Sequence, residues 1–265
     1  MEQPSAPQES LGDIRREIDR IDEDILQLIA ARLDVVDRVR AYKARTSGAA
    51  ASPIRPDREA EILRRLIDKG RGRVPADLCF RIWRALISAA TLKQAPVRIH
   101  GSAAVFASGA AQTLLREYFG PSALAGHRAD AGAFEALAGN PGDLAAVAVD
   151  GPWAKAWMEG HAGPARVIGV LPFLAAKATP RLLIFGHVAP EQTGADETLV
   201  LTDGQLPRDF APQPLWQVKT GEMQLAGLPG FLSEHSMPLV GLARSNGSLA
   251  LSVLGRYPSP IEIGT

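Results

Sequence analysis

The stretch LGDIRREIDRIDEDILQLIAARLDVVDRVRAYKAR, Leu11 to Arg45, decides how the first third of this chain folds. It contains no proline, and its glycine, Gly12, stands at the very start, so nothing interrupts one long helix. Ile14, Ile18, Ile21, Ile25, Leu28, Arg32, Val35, Val39 and Tyr42 follow a strict four-three spacing, the heptad pattern of a helix packed against other helices. All but Arg32 are apolar or aromatic. Such a helix spans about 50 Å, longer than a small domain is wide. The spacing therefore predicts a partner chain alongside it.

Working outward, Thr46 to Pro56 (TSGAAASPIRP) reads as a loop, and residues 1–10 as a polar, disordered tail. A second helix follows, with Asp57 as its cap, Ala60, Ile62, Leu63, Leu66 and Ile67 as its apolar face, and Gly70 and Gly72 as its end. A third has Pro75 near its first turn, carries Leu78, Ile82, Leu86, Ala89 and Leu92, and stops at Pro96. Beyond it the texture changes to short apolar runs between Gly, Pro and Asp turns. Strands are expected at Val97–His100, Leu144–Val149, Val167–Val170, Leu182–Gly186, Thr198–Thr202, Leu215–Val218, Leu239–Ala243 and Leu249–Leu254, with helices near Ala110–Tyr118 and Ala133–Leu137. The fold class is thus multidomain, a three-helix all-α domain over 11–95 followed by a small α/β domain over 96–265.

Composition narrows the function classes. The 29 basic and 29 acidic residues balance, which favours neither nucleic acid nor an anionic membrane surface. Basic residues are in mild excess before Pro96, which suits a small anionic ligand. A lone cysteine, Cys79, forms no intrachain disulfide and sits between Leu78 and Phe80, as a buried residue would. No signal-peptide pattern or long apolar run occurs, so the reading is cytoplasmic, with neither export nor membrane insertion.

Arg32 interrupts an apolar seam, and a buried guanidinium needs an anion, either an internal carboxylate or a ligand. Lys43, eleven residues on, projects from nearly the same face, about 16 Å away along the axis. By itself Lys43 reads first as a solvated helix-end lysine. Arg15 lies seventeen residues before Arg32, about 25 Å away, so the two cannot grip one small molecule from a single chain. If both bind ligand, Arg15 reaches into the site of an antiparallel partner. Otherwise it is a surface arginine pairing with Asp19.

The segments IRREIDRIDEDILQLIAAR, YKA, DREAEILRRL and the helix ending LKQ, in that order and register, resemble the all-helical class of chorismate mutase across residues 11–95. The resemblance implies an intertwined homodimer converting chorismate to prephenate without cofactor or metal. By it, Arg15 matches the arginine donated to the partner's site, Arg32 and Arg58 match arginines lining the pocket, and Lys43 matches the lysine touching a carboxylate and the ether oxygen. Glu59 resembles the glutamate that binds the substrate hydroxyl, and Gln94 the side chain that donates toward the ether oxygen. Without the resemblance, Arg58, Glu59 and Gln94 read as a helix-start arginine, a first-turn glutamate and a surface glutamine. The chain departs from the pattern in a longer loop before Arg58, in Arg55-Pro56, and in Ala90 where a small hydroxyl residue is expected.

The second half resembles part of prephenate dehydratase, through LAAVAVDGPWAKAW, VIGVLPFLAAKATPRLLIFGHV and DETLVLT. That enzyme's Thr-Arg-Phe motif appears as Thr179, Pro180, Arg181 and Leu182, with a proline inserted, and the span before DETLVLT is short for two lobes. A degenerate, non-catalytic domain is expected, regulatory or structural. The glycine-rich Gly101–Gly109 stretch reads as a turn or an anion cradle. His127, His161, His187 and His235 are scattered without metal-ligand spacing, and Trp153, Trp157 and Trp216 read as core. The leading function is chorismate mutase in aromatic amino acid biosynthesis. The alternatives are an isochorismate pyruvate-lyase-like enzyme and a catalytically inactive aromatic-metabolite sensor.

Overall fold

A computed structural model describes residues 10–46, 52–176, 179–245 and 250–263. The expected tail, apart from Ser10, and the middle of the expected loop before Pro56 lie outside the described residues. The chain divides into two compact units, Met1–Ala51 and Ser52–Thr265.

The first unit is one helix, α1, Leu11–Thr46. Its start is fixed by a reciprocal cap, in which the Asp13 N–H donates to Ser10 Oγ at 3.2 Å while Ser10 N–H and Oγ–H donate to Asp13 Oδ2 at 3.1 and 2.6 Å. All eight apolar seam residues, from Ile14 to Tyr42, are exposed. Arg32 is half-buried.

The second unit opens with α2 (Pro56–Gly70) and α3 (Ala76–Gln94). The cap expected of Asp57 is not there. Pro56 takes the first helical position, for which its fixed φ suits it, so Arg55 becomes the cap residue and Asp57 moves into the first turn. There follow β1 (Arg98–Ser102), α4 (Ala103–Ala107), α5 (Gly109–Phe119), β2 (Ala123–His127), α6 (Asp130–Gly139), β3 (Leu144–Ala148), α7 (Ala154–Met158), β4 (Arg166–Leu171), β5 (Leu174–Ala175), β6 (Leu182–Gly186), β7 (Asp196–Thr202), β8 (Trp216–Thr220), β9 (Met223–Pro229), α8 (Met237–Ser245), β10 (Leu251–Pro258) and β11 (Ile261–Glu262).

Among the described residues, nine strands form one mixed sheet in the order β2-β1-β3-β6-β4-β10-β7-β9-β8. β2, β1 and β3 run parallel, as do β4 and β10, and the other neighbours are antiparallel. β6 and β7 are buried along their whole length, which explains the continuous apolar sequence of β6, whereas β7 buries Asp196, Glu197, Thr198 and Thr202 beside its apolar Leu199–Leu201.

Helices followed by an α/β sheet is the architecture expected from sequence. The boundary between compact units falls at 51/52, whereas the texture of the sequence changes at 95/96. The reason is a shared core: Ala60, Leu63, Phe80 and Ile87 of α2 and α3 pack with Ile99, Leu115, Phe119, Leu144, Ile168 and Ile184. Other clusters gather Phe134, Leu137, Trp153 and Phe185, and Val200, Phe210, Leu228 and Leu239.

Leu239–Ala243, expected as a strand, is part of α8, where Val240 N–H donates to the Ser236 carbonyl at 3.0 Å. A short apolar run fits either a strand or the buried face of a helix, and here the helix prevails. β2, β5, β9 and β11 were not anticipated. The Gly101–Gly109 stretch is helical from Ala103 to Ala107 rather than an open cradle. No described helix is long and apolar enough to cross a membrane.

One close approach fixes the far end of the sheet. The buried Glu197 carboxylate accepts from Trp216 Nε1–H and Tyr257 O–H, both at 3.0 Å. The indole reaches it by lying over Gly227, where a Cβ would stand 2.3 Å from Trp216 Nε1. Burial raises Glu197 above the usual carboxylate range, against the pull of these donors. Gly227→Ala is expected to displace the indole and strand the carboxyl, at a cost of about 1–3 kcal/mol. Urea unfolding followed by tryptophan fluorescence measures the loss.

Candidate functional site

The residues singled out by the sequence fall into two groups. Arg15, Arg32 and Lys43 share α1, where the backbone is one unbroken helix, so the spacings assumed from helical rise hold. Arg15 is exposed, and burial lowers the half-buried Arg32 guanidinium below its ordinary value. The Lys43 side chain lies outside the described residues.

Arg58, Glu59 and Gln94 belong to the second unit. Arg58 is exposed in the first turn of α2 and pairs with Glu61 at 3.1 Å. Gln94 ends α3, and its Nε2–H donates to the Ala90 carbonyl one turn back at 3.1 Å. Glu59 is buried on the inner face of α2. Its Oε2 accepts from Arg84 Nη1 at 2.6 Å, and its Oε1 takes a longer bond from the Arg55 backbone N–H at 3.4 Å.

Arg84 went unremarked in the sequence, although it stands between Phe80 and Ile87 on the apolar face of α3. A charge on an apolar stripe is the signal that picked out Arg32, and it applied here too. The guanidinium is 2% exposed. Besides Glu59, its Nε donates to the Tyr118 carbonyl at 2.8 Å and its Nη2 to the same oxygen, while Ser88 Oγ donates there at 3.1 Å. The guanidinium also lies 3.7 Å from the centroid of the Tyr118 ring, a cation–π contact. Burial raises the Tyr118 phenol to about 12, with Arg84 pulling the other way.

The space beside Glu59 is small. Two cavities that it lines measure about 20 and about 10 Å³, room for roughly a single water each. Ile54, Tyr118, Phe119 and Phe173 wall the larger one. Within its own unit the Glu59 carboxylate therefore faces no ligand-sized cavity. Among the described residues no group of His, Cys, Asp and Glu is arranged to hold a metal ion.

Residues 14–95 match the family model Chorismate mutase type II. The match ends at the last turn of α3. Over 96 residues the chain is 29% identical to a bifunctional chorismate mutase/prephenate dehydratase of Pseudomonas aeruginosa, covering 36% of this chain and 26% of that protein. Over 122 residues it is 34% identical to the bifunctional chorismate mutase/prephenate dehydratase of Aquifex aeolicus, covering 43% of this chain and 32% of that one. The alignments thus span about a quarter to a third of these relatives' lengths. Among solved structures, a prephenate dehydratase from Streptococcus mutans aligns over 62% of this chain and 98% of its own, with TM-score 0.33 and 16% identity. The quorum-quenching acylase GqqA aligns over 61% and 95%, with TM-score 0.36 and 12% identity. Likeness at that level carries no argument about the sheet.

The buried pair generates an expectation of its own. Arg84→Met leaves Glu59 as an uncompensated buried charge and is expected to cost about 3–5 kcal/mol. Adding Glu59→Gln removes that charge and is expected to recover part of the loss. Urea denaturation of the two variants beside the parent checks both.

Proposed function

We propose that residues 11–95 form a chorismate mutase, which rearranges chorismate to prephenate as a homodimer in the cytoplasm, on the route to phenylalanine and tyrosine. The observation that carries the reading is the seam of α1. It combines exposed apolar residues at heptad spacing with a half-buried arginine in their midst. A second copy of the chain is the occupant that would cover such a seam. α3 adds exposed apolar residues one turn apart, Leu78 and Ile82, with exposed Val74 just before it.

The chemistry asks for cations and little else. Chorismate carries two carboxylates, and its rearrangement is a concerted shift of bonds that requires no nucleophile, metal or cofactor. The enzyme's task is to hold the compact conformer and to stabilise negative charge gathering on the ether oxygen. Arg32, Arg58 and the partner's copy of Arg15 clamp carboxylates, since a guanidinium fork matches a carboxylate in two hydrogen bonds. Lys43 and Gln94 donate toward the ether oxygen. Glu59 accepts the substrate hydroxyl on Oε1 while Arg84 retains Oε2, which requires the walls around it to open. The boundary at residue 95 is part of the same proposal, with the second half regulatory or structural and without dehydratase activity.

Incubating purified protein with chorismate is expected to yield prephenate. Pyruvate released from isochorismate instead would select the lyase reading, and a rate no faster than the uncatalysed one would select the inactive sensor. Arg32→Ala and Lys43→Ala are each expected to lower kcat/KM by about a hundredfold or more with the dimer intact. Mixing Arg15→Ala with Arg32→Ala chains is expected to restore one working site per heterodimer. Mixed chains that stay inactive count against a shared site.

A further inference from the structure

The three parallel strands at one end of the sheet carry a chain of hydrogen-bonded side chains that the mutase reading does not use. Asp143, just before β3, accepts the Arg98 backbone N–H on Oδ1 at 3.0 Å and faces His100 Nε2 through Oδ2 at 3.0 Å. His100, on β1, is buried, and its Nδ1 lies 2.9 Å from Nε2 of His127 at the end of β2. Their ring centroids are 5.1 Å apart. β2 is the edge of the sheet, paired to β1 over five residues, Ala123 to His127. α6 covers this face, packing on β1, β2 and β3.

Counting protons shows what the arrangement can hold. With Asp143 ionised, His100 keeps its proton on Nε2 and offers a lone pair at Nδ1, so the bond between the rings must be donated by His127 Nε2–H. One further proton can settle on His127 Nδ1 without disturbing any bond. A second has only His100 Nδ1 to occupy, which sets N–H against N–H across 2.9 Å. We propose that the Asp143–His100–His127 chain is a one-proton clasp that fastens the edge strand β2 to the sheet and releases it on acidification.

The surroundings reinforce this direction. Burial, and after it the neighbouring His100, lowers His127 below the ordinary imidazole value of 6.5. The unfolded chain therefore binds the first proton more readily, so its stabilising effect is complete above that value and declines as pH falls through His127's lower one; the second proton, on His100 Nδ1, then breaks the bond between the rings. α6 carries Asp130, which burial raises and a bond from Ser102 opposes. The other charged groups here are Asp143 itself and the exposed Arg98 and Arg128.

Hydrogen exchange of the full chain at about pH 7.5 and about pH 5, corrected for intrinsic rates, tests the clasp. Acidification is expected to lower protection in 123–127 by about tenfold or more while 196–202 is unchanged, a proton-linked difference of one pH unit or more. His127→Gln offers His100 an N–H donor and, once His100 is protonated, can turn its amide oxygen to accept instead, so its 123–127 protection is expected to stay flat. Equal loss in both proteins, or no loss in the parent, overturns the proposal. Should that variant fail to fold, the imidazole nitrogen resonances of the parent decide. His100 Nδ1 remaining unprotonated until β2 opens supports the clasp, and His100 protonated on both nitrogens with β2 still protected overturns it.

Discussion

A buried guanidinium sets the terms for the second unit. Arg84 satisfies the Glu59 carboxylate on one side and the Tyr118 carbonyl on the other, joining α2, α3 and the last turn of α5 in one network. That carbonyl is among the last of α5, where helical acceptors lack partners within the helix, so the positive charge also meets the negative end of the helix dipole. The ions depend on one another: each would be costly to bury alone, and together they fix the register in which the two helices meet the sheet. Arg64 extends the tie, donating to the Ala195 and Ser259 carbonyls, both at 2.7 Å, and to Thr193 Oγ1 at 3.0 Å. α2 is thereby held to the segments that precede β7 and follow β10.

Much of this was legible in the amino-acid order, and the failures have physical causes. The heptad seam and the absence of proline marked α1 within a residue or so of its ends. β6 declared itself as a continuous apolar run bounded by turns, and β7 through the shorter run Leu199–Leu201 flanked by β-branched Thr198 and Thr202. β2 was illegible for the opposite reason. An edge strand built from Ala-Leu-Ala-Gly-His is half exposed and carries no β-branched residue, so neither alternation nor propensity marks it. α8 shows the remaining ambiguity, since four apolar residues cannot declare their own period.

For the site, sequence spacing sees only what lies on one helix. It placed Arg15, Arg32 and Lys43 along a single axis, and it put Glu59 and Gln94 on separate helices with no means of relating them. It could not show that Glu59 turns inward to Arg84, because that contact joins residues 25 apart on different helices. The histidines carry the same lesson. His100 and His127 show no ligand spacing, yet parallel pairing of β1 and β2 brings their rings together. A search for spacing looks along the chain, whereas the chemistry here is assembled across it.

What α1 leaves uncovered bears most on function. Eight apolar or aromatic side chains along one face remain in water. Fully burying one large aliphatic side chain is worth about 1.5–3 kcal/mol, so a partner covering this seam gains on the order of 10 kcal/mol, even discounted for partial burial. Association costs about 4–15 kcal/mol in lost freedom. The gain is thus of the same order as the cost, so the apolar positions supply the larger part of what association needs. In the proposed mutase, partner and ligand answer to different residues on the same helix: the apolar positions to the second chain, Arg32 and its neighbours to the substrate. Under that proposal the charges can change, as the mixing of Arg15 and Arg32 variants requires, while the proposed dimer stays whole.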